Sequence, residues 1–171
     1  MIRRANNNDV ALLQQLGRKT FHDTFGNTCT KEDMQGVLNL YFNSSQVLSE
    51  LLDEEDNFFF YEEDHIVKGY LRINAKHICP IPDLAHRKCI ELVRLYVLSE
   101  FHGAGVANKL MNYAQEFAKN KEFEVIYLSV WEYNFRARGF YEKHGFTNTG
   151  IENDFPLGST PQTDYWFMKE I

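Results

Sequence analysis

The residues with the clearest capacity for chemistry lie in a glycine-containing turn between a predicted buried strand and a predicted helix. The turn is a run of mostly small residues, Gly103, Ala104, Gly105, Val106, Ala107 and Asn108. The first backbone amides of a helix have no acceptors within the helix and carry a partial positive charge, so they bind phosphate oxygens. Glycine permits close approach to such an anion because it has no Cβ. The sequence therefore predicts an anion-binding site at this helix N-terminus.

The glycine turn does not match the two best-known nucleotide-binding patterns. The dinucleotide fingerprint needs a third glycine where Asn108 stands. The P-loop needs a hydroxyl residue directly after its lysine, but Leu110 follows Lys109. A helix start that only packs tightly is the alternative interpretation of this segment taken alone.

A second segment of interest follows the next predicted strand and extends from Asn134 to Phe146. Asn134 suits the N-cap or first turn of a helix, and Gly145 suits its end. Tyr141 follows Ala137 by four residues, so the two side chains lie on the same side of that helix. Since Ala137 is expected to pack inward, Tyr141 is predicted to lie beside the interior.

The spacing of apolar residues predicts the elements that position these two segments. Strands are predicted over 2–4, 58–61, 66–75, 89–98, 124–130, 146–151 and 163–169. Helices are predicted after Asp9, Thr30 and Gly105 and over 135–143, with a short helical piece from Ser45. The order β–α–α–β–β–β–α–β–α–β–β predicts an α/β fold with a mixed sheet, in a single domain over residues 1–171.

Together these segments resemble the GCN5-related N-acetyltransferase (GNAT) superfamily. Members of that family have a strand ending in Leu-Tyr-Val, then [Gln/Arg]-x-x-Gly-x-[Gly/Ala], and later Asn-x-x-Ala-x-x-Phe-Tyr-x-x-x-Gly-Phe. The matching residues are Leu95-Tyr96-Val97, the turn from His102 to Ala107, and the run from Asn134 to Phe146. His102 departs from the pattern, because the family has Gln or Arg there. The resemblance extends over nearly the entire chain and implies a GNAT-like, mixed and largely antiparallel sheet flanked by helices.

The two ends of the chain resemble bacterial PaiA-type spermidine/spermine N-acetyltransferases. The similar residues are Leu13–Leu16 and Thr20–Phe25 near the start, and Gln162–Asp164 with Met168 and Lys169 near the end. This resemblance implies direct transfer of an acetyl group from acetyl-CoA to a primary amine, a spermidine or spermine, through a tetrahedral intermediate. One alternative is the same transfer to a protein N-terminus, a lysine or an aminoglycoside. Another is a non-catalytic regulator that binds acyl-CoA or polyamines.

The resemblance also implies where acetyl-CoA binds. In this family, amides of the turn over 102–108 hold the pyrophosphate, and the pantetheine arm pairs with Leu95, Tyr96 and Val97 like an added strand. Asn134 matches the position that hydrogen-bonds this arm, and an amide near Val97 faces the acetyl carbonyl. Four basic residues either offset the phosphates of the co-substrate or are solvated charges: Lys109, Arg136, Arg138 and Lys143. No metal cofactor is expected.

Two residues are candidates for the proton transfers that acetylation of an amine requires. Tyr141 matches the general acid of the family, which protonates the leaving thiolate, and a structural tyrosine is the alternative. Glu91 lies six residues before Val97 on a strand that is otherwise apolar apart from Arg94, which is typical of a central strand. It matches the glutamate of histone-type members, which accepts the amine proton through water. The alternative role for Glu91 is an anchor for a cationic substrate.

The family places the acceptor beside the first two helices and the late hairpin. The aromatic candidates for its walls, which are otherwise core residues, are Phe21, Phe25, Tyr41, Trp131 and Trp166. Three carboxylates, those of Asp23, Glu91 and Asp164, would attract ammonium groups. The prediction of a polyamine acceptor depends mainly on the resemblance.

The composition limits the partners of the protein. The net charge is −6, whereas a nucleic-acid-binding protein needs a basic surface. The first residues lack the pattern of a secretory signal, and no apolar run approaches the roughly 20 residues of a membrane helix. We therefore expect a cytoplasmic protein with a small-molecule amine as its partner, without nucleic acid or membrane. The aromatic content of 15% is compatible with a homodimer.

The cysteines leave one metal alternative open. Three cysteines are too few for a disulfide framework and are typical of a cytosolic protein. His77, Cys79, His86 and Cys89 lie close together in the sequence and are residue types that bind zinc tetrahedrally. Their spacing is not that of a familiar zinc finger.

Overall fold

The computed structural model describes residues 1–171, with seven strands and five α-helices. The strands are β1 (Ile2–Arg4), β2 (Asp56–Glu63), β3 (Ile66–Asn74), β4 (Cys89–Val97), β5 (Val125–Trp131), β6 (Thr147–Asp154) and β7 (Thr163–Glu170). The helices are α1 (Val10–Phe25), α2 (Lys31–Tyr41), α3 (Ser44–Leu52), α4 (Val106–Asn120) and α5 (Phe135–Lys143). None of these helices combines the length and the apolar composition that crossing a membrane would require.

All seven strands form one sheet in the order β1-β2-β3-β4-β5-β7-β6. Neighbouring strands are antiparallel except for β4 and β5, which are parallel. The predicted α/β fold with a mixed, largely antiparallel sheet is therefore confirmed. The short helical piece expected from Ser45 is also present as α3, which begins one residue earlier, at Ser44. Its N-cap is Asn43, whose side chain accepts a hydrogen bond from the backbone N–H of Gln46.

The helices cover both faces of the sheet and bury a hydrophobic cluster against each face. On one face, α4 buries Leu110 and Met111 against the central strands. On the other face, α1 and α3 bury Leu13, Leu16 and Val47 against β2 and β3. Burial on both faces explains why the central strands are apolar on both sides.

The central strands β4 and β5 separate towards their carboxyl ends. Their parallel pairing is confined to Cys89–Glu91 opposite Val125–Tyr127. On its other side, β4 stays paired with β3 as far as Val97, with Val93 as a bulged residue. The second half of β4 therefore has no strand on its β5 side, and a gap opens in the middle of the sheet.

Candidate active site

The gap between β4 and β5 opens into a cavity of about 990 Å³. The glycine turn, the end of β4 and the start of α5 form one side, and α1, α2 and the β6–β7 hairpin form the other. The predicted co-substrate residues that line it are Leu95, Tyr96, Val97, His102, Gly103, Gly105, Val106, Ala107, Asn108 and Asn134. Tyr141 and Glu91 line it as well. The fold thus brings into one cavity segments that are distant in the sequence.

The glycine turn presents a row of free backbone amides. Gly103 and Gly105 have φ angles of 83° and 78°, in the left-handed region that glycine adopts without strain. No side chain caps the start of α4. Five N–H groups have no acceptor within the chain, those of Gly103, Gly105, Val106, Ala107 and Asn108. A Cβ built on either glycine would meet no atom within 4 Å, so the turn is open and fits an anion with several oxygens, such as a pyrophosphate.

The end of β4 offers further unpaired backbone groups. Just after β4, the Leu98 N–H donates to the carbonyl of Lys68 at 3.0 Å. Because antiparallel pairing alternates along a strand, Leu95 and Val97 direct their N–H and C=O groups away from β3. That side of β4 is the side of the cavity. These groups fit an extended chain of amides that adds to the strand edge.

The imidazole of His102 links the end of β4 to the start of α5. Its Nε2 donates to the Val97 carbonyl at 2.9 Å, and its Nδ1 accepts from Arg136 at 2.8 Å. A carbonyl accepts hydrogen bonds only, so the proton is on Nε2 and the ring is neutral in this arrangement. His102 therefore satisfies the Val97 carbonyl itself, while the Val97 N–H stays free for a ligand. Arg136 is the one predicted basic residue that lines the cavity.

Asn134 is the N-cap of α5, as the sequence predicted. Its Oδ1 accepts a hydrogen bond from the backbone N–H of Ala137 at 3.1 Å. The Nδ2 group has no acceptor in the chain, and Asn134 lines the cavity. One side chain therefore starts the helix and also leaves a donor for a ligand.

Four tyrosines line the cavity and have hydroxyl groups without a hydrogen-bond partner in the chain: Tyr41, Tyr96, Tyr133 and Tyr141. Tyr41 and Tyr133 are exposed, whereas Tyr96 and Tyr141 are half-buried. The ring of Tyr141 packs between Phe140 and Phe146, with centroids 5.5 and 5.8 Å away. Burial raises the pKa of Tyr141. Burial, followed by the neighbouring Tyr70, raises the pKa of Tyr96. Both phenols therefore stay protonated at neutral pH. The Leu95-Tyr96-Val97 motif implies a role only for the backbone of that strand, so the Tyr96 hydroxyl was not among the predicted site groups.

Glu91 lies where the pairing of β4 and β5 ends, opposite Tyr127. Its carboxylate pairs with Nδ1 of His77, which lies in the loop after β3. The Glu91 side chain is 14% exposed. The histidine thus holds the carboxylate in place at the edge of the cavity, a contact for which the sequence gives no signal. This position suits both a proton acceptor and an anchor for a cation.

The acceptor side of the cavity contains every residue that was predicted for it. These residues are Phe21, Asp23, Phe25, Tyr41, Glu91, Trp131, Asp164 and Trp166. The alternative that the aromatic residues belong to the core also applies to several of them. Phe21 and Phe25 are buried, and the Phe25 ring lies 5.6 Å from that of Trp131. The wall of the cavity is therefore one surface of the core.

A buried ion-pair network, which was not predicted from the sequence, supports this side of the cavity. Glu50 of α3 accepts hydrogen bonds from Arg72 of β3 at 2.9 Å and from Arg94 of β4 at 3.0 Å. Arg72 also donates to both oxygens of Asp56, at 2.9 and 2.7 Å. Two carboxylates thus balance two guanidinium groups, which offsets the desolvation of each charge. The one feature of the sequence that could have indicated this network is the presence of an arginine in each of two otherwise apolar strands.

Asp164 of β7 is a buried carboxylate that is only partly satisfied. The residue is 7% exposed, and the Ser129 hydroxyl donates to its Oδ2 at 2.9 Å. Its Oδ1 has no hydrogen-bond partner. Burial raises the pKa of Asp164 to about 6, against the opposite effect of the Ser129 hydrogen bond. At neutral pH this site therefore holds a negative charge without full compensation.

Asp164→Asn is expected to stabilise the fold above pH 6. The native pKa of about 6 exceeds the ordinary value of 3.8, so the native state binds more protons than the unfolded state between these values. Wild-type stability therefore falls as the pH rises through this window, and the loss reaches about 3 kcal/mol above it. Urea unfolding at several pH values should show that the free energy of unfolding of the variant exceeds that of the wild type by up to about 3 kcal/mol. This difference should shrink towards about pH 4. A gain that did not depend on pH would contradict this explanation.

Several predicted residues lie outside the cavity lining. Ala104 belongs to the glycine turn but does not line the cavity, and Lys143 ends α5 away from it. Lys109 donates to the Tyr61 hydroxyl at 2.6 Å, and Arg138 donates to a backbone carbonyl just before α5 at 2.8 Å. These basic residues have contacts of their own, which favours their interpretation as structural or solvated charges.

The four residues considered for zinc do not converge. No group of three or more His, Cys, Asp or Glu side chains is placed to hold a metal ion. His77 instead pairs with Glu91. The Cys89 thiol lies 3.7 Å from the carbonyl of Leu84. The zinc alternative therefore has no support from the structure.

Solved structures with the same fold include acetyltransferases of different names. The PaiA N-acetyltransferase from Thermoplasma acidophilum, solved in complex with coenzyme A, aligns with 100% of this chain and 98% of its own, with a TM-score of 0.82 and 18% identity. The ribosomal-protein-alanine N-acetyltransferase from Brucella melitensis aligns with 100% of this chain and 99% of its own, with a TM-score of 0.69 and 20% identity. At these identities the similarity shows a shared fold.

Sequence comparison gives the family. An uncharacterised N-acetyltransferase in the pepI 3′ region of Lactobacillus delbrueckii subsp. lactis is 30% identical over 160 residues, 91% of this chain and 88% of that protein. An uncharacterised N-acetyltransferase from Mycobacterium tuberculosis is 35% identical over 82 residues, 48% of this chain and 52% of that protein. The model of the acetyltransferase (GNAT) family matches residues 19–146. The chain therefore belongs to the GNAT family of acetyltransferases.

Proposed function

We propose that this enzyme transfers the acetyl group of acetyl-CoA to a primary amine of a linear polyamine such as spermidine or spermine. The observation that carries the proposal is the composition of one cavity. An open row of backbone amides lies on one side, and carboxylates with aromatic walls lie on the other. The first side fits a phosphorylated co-substrate, and the second fits a cationic, partly apolar acceptor.

The residues present fit coenzyme A at three places. The free amides of the turn from Gly103 to Asn108 would hold its pyrophosphate. The N–H and C=O groups of Leu95 and the N–H group of Val97 would pair with its pantetheine arm, and Asn134 Nδ2 would donate to the same arm. His102 and Arg136 are exposed residues of the cavity lining and would border the bound co-substrate.

The acetyl-CoA thioester supplies an activated acetyl group, and side chains of the protein donate and accept the protons that the transfer requires. Tyr141 would donate its phenolic proton to the leaving sulfur, since burial keeps the hydroxyl protonated and no group of the chain occupies it. Glu91, held by His77, would accept a proton from the amine, directly or through water. Backbone N–H groups of β4 would stabilise negative charge that develops on the acetyl oxygen.

A polyamine acceptor is supported by charge and shape. Asp23, Glu91 and Asp164 place negative charges around a cavity that also has aromatic walls. A linear polyamine has ammonium groups separated by methylene segments, so it complements both kinds of surface. The similarity of fold to the PaiA N-acetyltransferase and the residues at the two chain ends support the same class of acceptor.

Thiol release with acetyl-CoA and a panel of amines tests this proposal. The panel contains spermidine, spermine, 1,4-diaminobutane, a peptide with an N-terminal alanine, a lysine peptide and an aminoglycoside. The highest kcat/KM is expected with spermidine or spermine. A preference for a peptide or an aminoglycoside would contradict the polyamine class but not the acetyl transfer. No turnover with any amine, despite tight binding of coenzyme A, would contradict the proposed catalysis and favour a regulator.

A further inference from the structure

The four carboxylates that line the cavity differ in how they are compensated. Asp23 pairs with Lys19 at 2.9 Å, Glu91 pairs with His77, and Glu50 pairs with two arginines. Asp164 has one hydrogen bond from a neutral hydroxyl, and no cationic side chain contributes to its environment. It is therefore the one carboxylate of the cavity whose side-chain hydrogen bond comes from a neutral hydroxyl alone.

The position of Asp164 in the sheet places it on the acceptor side. It pairs with Trp131 of β5 and with Asn153 of β6, and directly opposed residues of antiparallel strands face the same side. That side is covered by α1 and α2, because Trp131 packs against Phe25. Ser129, which holds Oδ2, lies two residues beyond the last pairing of β4 with β5 at Tyr127. Asp164 is thus close to the point where the central strands separate.

An unpaired carboxylate oxygen in such a place needs a donor. Leaving a buried charged oxygen without a partner costs about 1–3 kcal/mol or more, and no donor of the chain reaches Oδ1. An alkylammonium group has up to three N–H donors and a positive charge, so it satisfies the oxygen and neutralises the charge together. The indoles of Trp131 and Trp166 line the same cavity and add cation–π attraction.

We infer that Asp164 binds an ammonium group of the acceptor through Oδ1, while Ser129 fixes the carboxylate through Oδ2. This inference rests on the proposed function and makes it more specific, since it assigns the cation-binding point of the acceptor site. It also predicts that the enzyme selects protonated alkylamines over neutral molecules of the same length. Asp164 is then a substrate-binding residue, and the amides of the glycine turn bind the co-substrate independently of it.

Calorimetric binding of spermidine to the enzyme saturated with coenzyme A tests the inference without turnover. Asp164→Asn is expected to weaken spermidine binding at least about tenfold, the effect of losing one charged hydrogen bond. Ser129→Ala keeps the negative charge and is expected to weaken binding less. Affinity for coenzyme A should be unchanged in both variants. 1,4-Butanediol, a neutral analogue of 1,4-diaminobutane, should not bind measurably to the wild type.

Asp154→Asn is the matched control, because Asp154 is an exposed acid on the adjacent strand, next to the cavity-lining Asn153. It removes the same charge, and spermidine binding should stay within about twofold of the wild type, since exposed charges interact weakly. Equal spermidine affinity of wild type and Asp164→Asn would overturn the inference, and so would an equal loss in Asp154→Asn. If the wild type acetylates spermidine in either case, the proposed function stands. If the wild type neither binds nor acetylates any amine, both fail.

Discussion

Gly105→Val is expected to weaken the binding of coenzyme A roughly 100-fold, the effect of losing one or two charge-assisted hydrogen bonds. Gly105 precedes α4 with a φ of 78°, and a β-branched residue is strained in that region. Relief of the strain rotates the backbone and turns the free N–H groups of the first helical turn away from a common point. The new side chain would also occupy the open space in front of these amides. Calorimetric titration with coenzyme A measures the change.

Gly150→Val separates loss of the site from loss of stability. Gly150 has a φ of 77° and open space around its Cβ position, as Gly105 has, but it lies in β6 and does not line the cavity. The same substitution there is expected to lower the free energy of unfolding to a similar extent and to leave coenzyme A binding unchanged. Coenzyme A binding within about threefold of the wild type in Gly105→Val would disprove the role of the turn, since even one hydrogen bond is worth more than that difference.

The fold was predictable from the sequence because local patterns determine most of it. Both β1 and α5 have the predicted bounds, and β4 ends at Val97, one residue before the predicted end. Alternating or continuous apolar residues, cap residues and glycines act within a few positions of each other, so one sequence suffices to recognise them. The short α3 begins one residue before its predicted start, and its packing against β2 supplies the stability that so brief a helix lacks on its own.

The site was predictable in its backbone parts and less so in its side-chain contacts. The glycine turn, the end of β4 and the cap Asn134 depend on local residue types, and the structure places all of them at the cavity. The pairs of Glu50 with Arg72 and Arg94, and of Glu91 with His77, join residues from different elements. The register of the sheet and the position of α3 determine these pairs, and a local sequence pattern predicts neither of them.

The contacts of the basic residues likewise depend on neighbouring elements and not on a local sequence pattern. Lys109 and Arg138 were candidates to offset phosphates because of their sequence position near the glycine turn and in α5. In the structure, Lys109 turns towards β2 and Arg138 towards the carbonyl before its own helix. Long side chains reach in several directions from one backbone position, so their targets depend on the neighbouring elements.

Tyr141→Phe is expected to lower kcat about 100-fold, a typical loss for removal of a general acid, with little change in the affinity for coenzyme A. The Tyr141 hydroxyl has no partner in the chain, and burial raises the pKa of this phenol, so the proton is available at neutral pH. The ring remains in phenylalanine and keeps its contacts with Phe140 and Phe146. The fold should therefore be unaffected, and the loss should appear in kcat. Single-turnover acetylation of spermidine, with coenzyme A titration in parallel, measures both quantities.

Two further substitutions test which tyrosine hydroxyl donates the proton to the leaving thiolate. Tyr113 is a half-buried tyrosine of α4 that packs against Phe59 and does not line the cavity. The Tyr113→Phe variant should therefore have the same kcat as the wild type. Tyr96→Phe removes the other half-buried free phenol of the cavity. It is expected to have the smaller effect, because Tyr141, and not the side chain of Tyr96, matches the general-acid position of the GNAT pattern. If Tyr96→Phe lost the activity and Tyr141→Phe kept it, the proton donor would be Tyr96. If neither substitution lowered kcat, protonation of the leaving thiolate by Tyr141 or Tyr96 would be excluded.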